Sequence, residues 1–269
     1  MKRTILPVLF LILISSLTLR AQQSGSAQAR QVSASQPLSV QPEMSPLQLG
    51  ELRADIFMAR KMYPHAISTY KQLVRQEPKN AVVLNKLGVA YEILGNNGLA
   101  ERYFKKAIKA DKHYASAFNN VGTVEYAKHH YKGAIHWYQR TLKQRADMAP
   151  VYSNLGYAYF DIKKYPEAMV AFQRAIQIDP LIFQERGDGG SVVQQRGMTD
   201  PGLFYYFVAR TYAELGNAER AAHYLIMARD EGYQKFVAAK TEPAFAKVIK
   251  DPLVTAVFAP VPELADKHQ

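Results

Sequence analysis

The chain has 269 residues, of which 48% are hydrophobic and 21% are charged, an ordinary composition for a globular protein. It contains no cysteine, which excludes disulfides, thiol catalysis, cysteine-ligated zinc, iron–sulfur clusters and a lipid anchor on an N-terminal cysteine. The 34 basic residues outnumber the 23 acidic ones, and the resulting net charge of +11 favours an anionic partner without identifying it.

The first 46 residues predict an export signal followed by a tether. Met1-Lys2-Arg3 is basic, residues 4–19 are apolar or small apart from hydroxyls, and Ala21 follows at a cleavage position. This order is typical of a secretory signal peptide over residues 1–21. An uncleaved N-terminal anchor is the alternative. Residues 22–46 are polar and without hydrophobic period, so we expect a flexible linker and an exported chain, periplasmic or secreted from a bacterial cell.

The central part of the chain repeats itself every 34 residues. Leu87-Gly88-Val89-Ala90-Tyr91 recurs in similar form as Leu155-Gly156-Tyr157-Ala158-Tyr159. Small residues and aromatic residues follow the same step: Ala66, Ala100, Ala134 and Ala168; Gly88, Gly122 and Gly156; Tyr70, Phe104, Tyr138 and Phe172. A fixed period of this length indicates a stacked repeat.

These residues resemble the tetratricopeptide repeat, whose pattern is L-G-x2-Y, then A-x3-F, then P. The resemblance implies an all-α fold, a right-handed α-solenoid of helix–turn–helix units with a C-terminal capping region. The first unit departs from the pattern with Arg53-Ala54, and the second, third and fifth units lack the closing proline. The predicted segments are units 47–80, 81–114, 115–148, 149–182 and 202–235, an insert 183–201, a cap 236–258 and a tail 259–269.

Several packing details follow from this register. We expect Gly88 to lie with Ala100 where the two backbones of a unit approach most closely. Pro64 is expected in the first turn of a second helix, as is Pro166. Gly95 and Gly216 are expected to cap first helices. Two short helices should form the cap, with Lys240 and Glu242 among the polar residues that it turns to solvent.

No catalytic pattern is present in the sequence. It lacks a phosphate-binding glycine loop and a G-x-S-x-G nucleophile turn. His129, His130 and His136 do not follow a zinc-site spacing. We therefore predict no catalytic residues, no metal, no cofactor and no enzymatic activity. An enzyme hidden on the repeat scaffold is a disfavoured alternative, and it would require a cleft with clustered, perturbed titratable groups.

The resemblance also implies a binding surface, because the first helix of every unit lines a concave groove in this family. An asparagine amide both donates and accepts, so a row of asparagines could bond successive peptide groups of an extended ligand. The alternative is that these are ordinary helix-surface asparagines. Asn85 and Val89 replace the lysine and asparagine of the family's carboxylate clamp, which disfavours that mode. The candidate groove residues are Asn85, Asn119, Asn120, Tyr126, Asn154, Tyr157, Phe160, Tyr206 and Arg210, and the same register adds Val82, Val89, Glu92, Ser116, Thr123, Ser153 and Glu214.

We therefore predict a non-catalytic protein–protein interaction scaffold of the cell envelope that binds a peptide or partner protein in its groove. Lys105, Lys106 and Lys109 map to a second helix, hence to the outer face. An alternative is thus a peripheral envelope protein held by this basic face to an anionic glycan or lipid. Nucleic acid is disfavoured because no basic stripe is interleaved with aromatics along one groove. Whether the insert is a functional lid or a passive loop is left open.

Overall fold

The computed structural model describes residues 44–183 and 200–259, and that part of the chain is helical with no strand. The predicted all-α solenoid is confirmed. The predicted signal peptide, nearly all of the linker and tail, and the interior of the insert lie outside the described residues.

Ten α-helices form five consecutive helix–turn–helix pairs in the described part. Each helix contacts its partner in the pair, and each second helix also contacts the first helix of the following pair. The helices α3 to α8 lie inside their predicted units, whereas α1 and α9 each begin one residue earlier. The pairs are α1 (Pro46–Ala59) with α2 (Tyr63–Gln76), α3 (Ala81–Ile93) with α4 (Asn97–Ala110), α5 (Ala115–Ala127) with α6 (Tyr131–Gln144), α7 (Ala149–Asp161) with α8 (Tyr165–Ile178), and α9 (Pro201–Glu214) with α10 (Ala218–Asp230).

Local signals explain where the helices begin. Ser45 Oγ accepts a hydrogen bond from the Gln48 backbone N–H at 3.3 Å, and Gln48 Oε1 accepts one from the Ser45 N–H at 2.8 Å, which makes a reciprocal capping box. Pro64 and Pro166 lie in the first turns of α2 and α8, as predicted, where no backbone N–H is needed. Side-chain oxygens cap α3, α4, α9 and α10 at Asn80, Asn96, Asp200 and Asn217.

The turn inside each pair passes through one residue in the left-handed backbone region. The φ values are +58° at Lys61, +74° at Gly95, +61° at His129, +61° at Lys163 and +78° at Gly216. Each is the fifteenth residue of its unit, and the two glycines follow the C-cap residue instead of being it. A lysine or histidine meets steric hindrance in this region that glycine avoids. The hairpin therefore imposes the turn even where glycine is missing.

The repeated glycines make room for aromatic rings. A Cβ atom built on Gly88 would lie 2.4 Å from Phe104 Cε1, and one built on Gly122 would lie 2.6 Å from Tyr138 Cε1. At Gly156 the corresponding atom is Phe172 Cε1 at 2.3 Å. The nearest atoms to the Gly88 position thus belong to Phe104, and the expected approach of Gly88 to Ala100 stays a prediction. In these three pairs the edge of a ring from the second helix fills the space that a Cβ on the first helix would need.

The fifth pair solves the same packing problem with a different combination. Ala209 takes the register position of the glycine, and Leu225 takes that of the aromatic ring. Both side chains are fully buried in one cluster. Compared with the second, third and fourth pairs, the first-helix residue is larger by a methyl group and the second-helix residue is smaller than a ring. The two changes in side-chain volume therefore oppose each other.

An aromatic cluster joins the fourth pair to the fifth. Phe204 on α9 packs with ring centroids 5.2 Å from Tyr157, 5.6 Å from Phe172 and 6.0 Å from Phe183. Phe183 was predicted as the start of the insert, but its ring is buried and its carbonyl accepts a hydrogen bond from Tyr224 Oη at 2.8 Å. The core is therefore continuous on both sides of residues 184–199.

The C-terminal cap consists of two 3-10 segments, Gln234–Lys240 and Pro243–Phe245, and a short helix α11 (Pro252–Val257). The prediction of two short helices is thus inexact. The Asp251 side chain caps α11 by accepting from the Leu253 N–H at 2.9 Å. The buried side chains Phe245, Val248, Val254 and Val257 cover the end of the last pair.

Candidate functional site

The first helices of the second, third and fourth pairs are joined by a row of side-chain amides. Asn120 Nδ2 donates to Asn85 Oδ1 at 2.9 Å, and Asn119 Nδ2 donates to Asn120 Oδ1 at 3.2 Å. Asn154 Nδ2 donates to Asn119 Oδ1, also at 3.2 Å. We call these four residues the asparagine ladder. All four belong to the predicted groove set, and the structure brings them into one hydrogen-bonded chain across α3, α5 and α7.

The ladder follows from the repeat register. In each bond between helices, the sixth residue of one unit meets the fifth residue of the preceding unit, a separation of 35 residues. Lys86 and Glu51 obey the same rule, with Nζ 2.7 Å from Oε1. Each of these polar contacts therefore corresponds to the same axial offset between one first helix and the next. This pairing could have been found from the sequence as a spacing of one period plus one residue.

The ladder leaves part of each amide free for other contacts. Asn85 is 7% exposed, whereas the other three residues are partly exposed. An Nδ2 group carries two hydrogens, and each donating amide uses one of them within the ladder. The second hydrogens of Asn119, Asn120 and Asn154 can still bond an external acceptor.

Three other predicted groove residues lie in the core. Tyr157 is 1% exposed, Phe160 is 4% exposed and Tyr206 is 6% exposed. The prediction that they line an open groove is wrong, because α9 packs its rings onto Tyr157 and Phe160 of α7 and the cap covers Tyr206. Phe160, for example, has its ring centroid 5.9 Å from those of Phe204 and Phe207.

The cap engages the inner face of the fifth pair. Tyr206 Oη donates to Glu242 Oε2 at 2.5 Å, and Arg210 Nε lies 2.9 Å from Glu242 Oε1. Burial and the Glu242 carboxylate raise the pKa of Tyr206. Glu242 was expected to face solvent, and Arg210 was expected in the groove. Glu242 instead pairs with Tyr206 and Arg210, because the cap folds back onto these positions of α9; the placement of Arg210 in the groove stays a prediction.

Tyr126 is half-buried and donates from Oη to Asp161 Oδ2 at 2.5 Å. Burial, with the Asp161 carboxylate next in importance, raises the pKa of Tyr126, and burial also raises the pKa of Asp161. Sequence reasoning missed Asp161. Its separation of 35 residues from Tyr126 is the same signal that relates the ladder residues. The pair therefore joins α5 to α7 at the C-terminal ends of these two helices.

Charge is unequally distributed between the two layers of helices. The first helices carry six carboxylates and three basic side chains, whereas the second helices carry four carboxylates and twelve basic side chains. We call these sets the inner layer and the outer layer. The net positive charge of the chain is thus concentrated on the outer layer, and the inner layer is acidic. The inner carboxylates are Glu51, Asp55, Glu92, Glu125, Asp161 and Glu214.

Glu92 is a partly exposed carboxyl near the end of α3. Burial raises its pKa to about 7, and no other cause contributes to that shift. The hydroxyl of Tyr138, whose ring is buried against Gly122, lies beside the Thr123 hydroxyl. Thr123 itself donates from Oγ1 to the Asn119 carbonyl at 3.1 Å. This part of the inner face is rich in hydrogen-bond acceptors.

Metal and membrane features were searched within residues 44–183 and 200–259. No group of three or more His, Asp or Glu side chains in that part is arranged to hold a metal ion. None of its helices combines the length and apolar character that a membrane span requires.

Two tetratricopeptide-repeat family models match the chain, one over residues 52–115 and the other over residues 149–180. These stretches contain the glycine and alanine steps and the stacked pairs described above. The chain is a tetratricopeptide-repeat protein. The family's closing proline and L-G pair are absent from some units, yet the corresponding helix pairs still form.

Among curated relatives of this tetratricopeptide-repeat protein, one is a probable UDP-N-acetylglucosamine–peptide N-acetylglucosaminyltransferase, SPINDLY, of Hordeum vulgare. It is 26% identical over 130 residues, which cover 46% of this chain and 14% of the relative. The heat-shock protein cognate co-chaperone sgt12 of Aspergillus fumigatus is 29% identical over 120 residues, covering 45% of this chain and 35% of that protein. The chain thus spans about a third or less of the length of both relatives.

Solved structures with a similar fold include MamA, residues 41 to the end, from Desulfovibrio magneticus RS-1. It is 18% identical with a TM-score of 0.49, and the match covers 72% of this chain and 99% of that one. YrrB, described as a tetratricopeptide-repeat protein with an unusual peptide-binding site, is 19% identical with a TM-score of 0.46, covering 72% of this chain and 91% of its own.

Proposed function

We propose that this protein is a non-catalytic scaffold that binds a peptide or a partner protein along its inner face. The observation that carries the proposal is the asparagine ladder, which crosses three units and keeps unused N–H groups. Such groups match the carbonyls of an extended chain, whose acceptors recur along its length. The co-chaperone relative supports a protein-binding role, although the match covers only 35% of it.

We further propose that the protein acts in the cell envelope after export. This part of the proposal rests on the order of basic, apolar and small residues over residues 1–21, which is typical of a secretory signal. Mass analysis of the N-terminus of the protein recovered from its own envelope fraction tests the site of cleavage. Crosslinking and pull-down from the same fraction would identify the partner.

Removing two ladder amides should weaken partner binding. The variant Asn120→Ala with Asn154→Ala deletes donors on α5 and α7 and is expected to lower the affinity for the captured partner about thirtyfold, with each of the two lost hydrogen bonds contributing about 1 kcal/mol. Because these amides also bond Asn85 and Asn119, we expect a loss of stability of about 1–2 kcal/mol. Binding is therefore measured by calorimetric titration at a temperature well below the melting transition.

The matched control truncates two amides of the outer layer, Asn97→Ala with Gln177→Ala, on α4 and α8. This control should retain full affinity. Equal binding by the ladder variant and the control would remove the ladder from the binding surface.

A second candidate function is attachment of the outer layer to an anionic glycan or lipid. The observation that favours it is a row of four exposed cations on α4, at Arg102, Lys105, Lys106 and Lys109. Lys105→Glu with Lys109→Glu should abolish sedimentation with vesicles containing anionic lipid, because these contacts depend on charge. Unchanged sedimentation, or equal binding to neutral vesicles, would reject this function.

A further inference from the structure

An open pocket of about 600 Å³ is formed by side chains of α7 and α8. Its α7 side chains are buried or half-buried, whereas most of its α8 side chains are exposed, so the pocket opens on the outer layer. We call this pocket the fourth-unit slot. Its lining includes Tyr152, Leu155 and Tyr159 on α7, and Val170, Ala171 and Arg174 on α8.

In other units, an aromatic ring fills the equivalent place. The twenty-third residue of the second, third and fifth units is aromatic, and its ring contacts a ring on the first helix of the same unit. These pairs, with the distances between ring centroids, are Tyr103 with Tyr91 at 5.6 Å, Trp137 with Phe118 at 5.9 Å and Tyr224 with Tyr212 at 5.5 Å. The first unit has Thr69 at this position, and there Phe57 contacts the His65 ring at 5.4 Å. In the fourth unit the twenty-third residue is Ala171, so its two first-helix tyrosines lack the covering ring.

A cation belongs to the same arrangement in two of these units. Lys106 Nζ is 5.0 Å from the centroid of the Tyr103 ring, and Arg140 Cζ is 4.7 Å from that of Trp137. Both cations are the twenty-sixth residue of their unit, where the fourth unit has the exposed Arg174. The fourth unit thus has the rings of the first helix and the cation of the second helix, but not the second ring.

Two further facts favour a ring from another molecule. Val170, next to Ala171, is 68% exposed, the largest exposed fraction among the large hydrophobic side chains of the described residues. The other units have polar residues at its position, namely Ser68, Arg102, His136 and His223. Outside the described residues, the only phenylalanine, tyrosine or tryptophan of the chain is Phe10, which belongs to the predicted signal peptide. Residues 22–43, 184–199 and 260–269 therefore contain no ring that can fill the slot.

We propose that the fourth-unit slot binds a tryptophan or tyrosine side chain of a partner protein. The ring contacts the tyrosines of α7 and the guanidinium of Arg174, as Phe118, Trp137 and Arg140 contact one another in the third unit. The charges are complementary, because the face of an aromatic ring is negative and a planar guanidinium stacks on it. Arg174 Nη1 also donates to Gln177 Oε1 at 3.3 Å, a bond that uses an in-plane hydrogen and leaves the faces of the guanidinium available.

The form of the slot favours a ring that belongs to a protein. Small-molecule sites usually enclose most of their ligand, whereas this slot is open on the side of α8. Gln173 also lines the slot, and its amide can bond a peptide group next to the bound ring. The site goes beyond the proposed function, because it belongs to the outer layer and does not use the asparagine ladder.

The test uses the full chain and two blocked pentapeptides, Gly-Ser-Trp-Ser-Gly and Gly-Ser-Leu-Ser-Gly, titrated by NMR and followed at the backbone amides of residues 170 and 171. We expect the tryptophan peptide to bind at least about fivefold tighter, because only its ring gains the aromatic and cation contacts. Ala171→Trp, which supplies the ring of the third unit, should abolish its binding. Arg174→Gln should lower its affinity about two- to fivefold.

The matched control is Arg102→Gln, which removes the same charge from α4 of the outer layer, two units away. It should retain the wild-type affinity for the tryptophan peptide. The variant Asn120→Ala with Asn154→Ala should retain it too, so failure of the slot and failure of the inner-face function are distinguishable.

Equal binding of the two peptides, or undiminished binding in Arg174→Gln, would overturn the inference even if Ala171→Trp did not fold. Free indole should bind more weakly than the tryptophan peptide, and equal affinity would assign the slot to a small aromatic molecule. Self-association of the wild-type chain that Arg174→Gln weakens would assign it to a second copy. Either of these last two results would also overturn the proposed occupant.

Discussion

Phe204→Ala should lower the free energy of unfolding by about 3–5 kcal/mol, the cost usual for deleting a fully buried aromatic ring. Phe204 has no exposed surface, and its ring contacts Tyr157, Phe172 and Phe183. These partners come from α7, from α8 and from the segment that follows α8. The substitution therefore creates a cavity at the junction between the fourth and fifth pairs.

The thermal transition should change in shape as well as in position. In a stacked array each unit is stabilised mainly by its neighbours, so a weakened junction separates the array into parts that unfold independently. We expect calorimetry of Phe204→Ala to show two transitions where the wild-type chain shows one. The early transition would belong to α9, α10 and the cap.

Phe236→Ala is the matched control, because it deletes the same side chain from a partly exposed position in the cap, where Phe204 is buried. It should cost clearly less and leave a single transition. If the two variants were equally stable, the aromatic cluster would not be the element that holds the two parts of the solenoid together.

The 34-residue period was sufficient to predict the first four helix pairs, because each of these pairs meets the same requirements. A small residue on the first helix and a ring on the second recur at fixed positions, as at Gly122 and Tyr138. A separation of 35 residues, one more than the period, relates Asn120 and Asn154 to the residues that they contact on the preceding first helix. Regular repetition therefore contains the information on both the fold and the central part of the candidate site.

The period could not predict the C-terminal end of the candidate site. A repeat register assumes that each first helix presents the same face to solvent, which holds only where the neighbours are also regular. Tyr157 is covered because Phe183 and Phe204 pack on it, and Tyr206 is covered because Glu242 approaches from the cap. Phe183 and Glu242 lie outside the repeats, so their contacts have no periodic signal.

Gly156→Ala should lower the free energy of unfolding by about 1–3 kcal/mol, the range usual for overpacking a filled core. The added methyl carbon would lie 2.3 Å from Phe172 Cε1 and 2.4 Å from Cδ1. The ring has no exposed surface and cannot move without displacing its own neighbours. Chemical denaturation of the variant measures this cost. Gly98→Ala on α4 is the matched control, because nothing lies within 4 Å of its Cβ position, and there alanine should stabilise the helix by up to about 1 kcal/mol.

The fifth pair suggests how this defect can be repaired. Its Ala209 and Leu225 occupy the register positions of Gly156 and Phe172, and both are fully buried. Phe172→Leu alone should destabilise the protein by leaving a cavity, but together with Gly156→Ala it recreates the combination of the fifth pair. We expect the double variant to be more stable than the sum of the two single effects, with a coupling of about 1 kcal/mol or more in a double-mutant cycle. Strictly additive effects would mean that glycine is required at this position for a reason other than the ring.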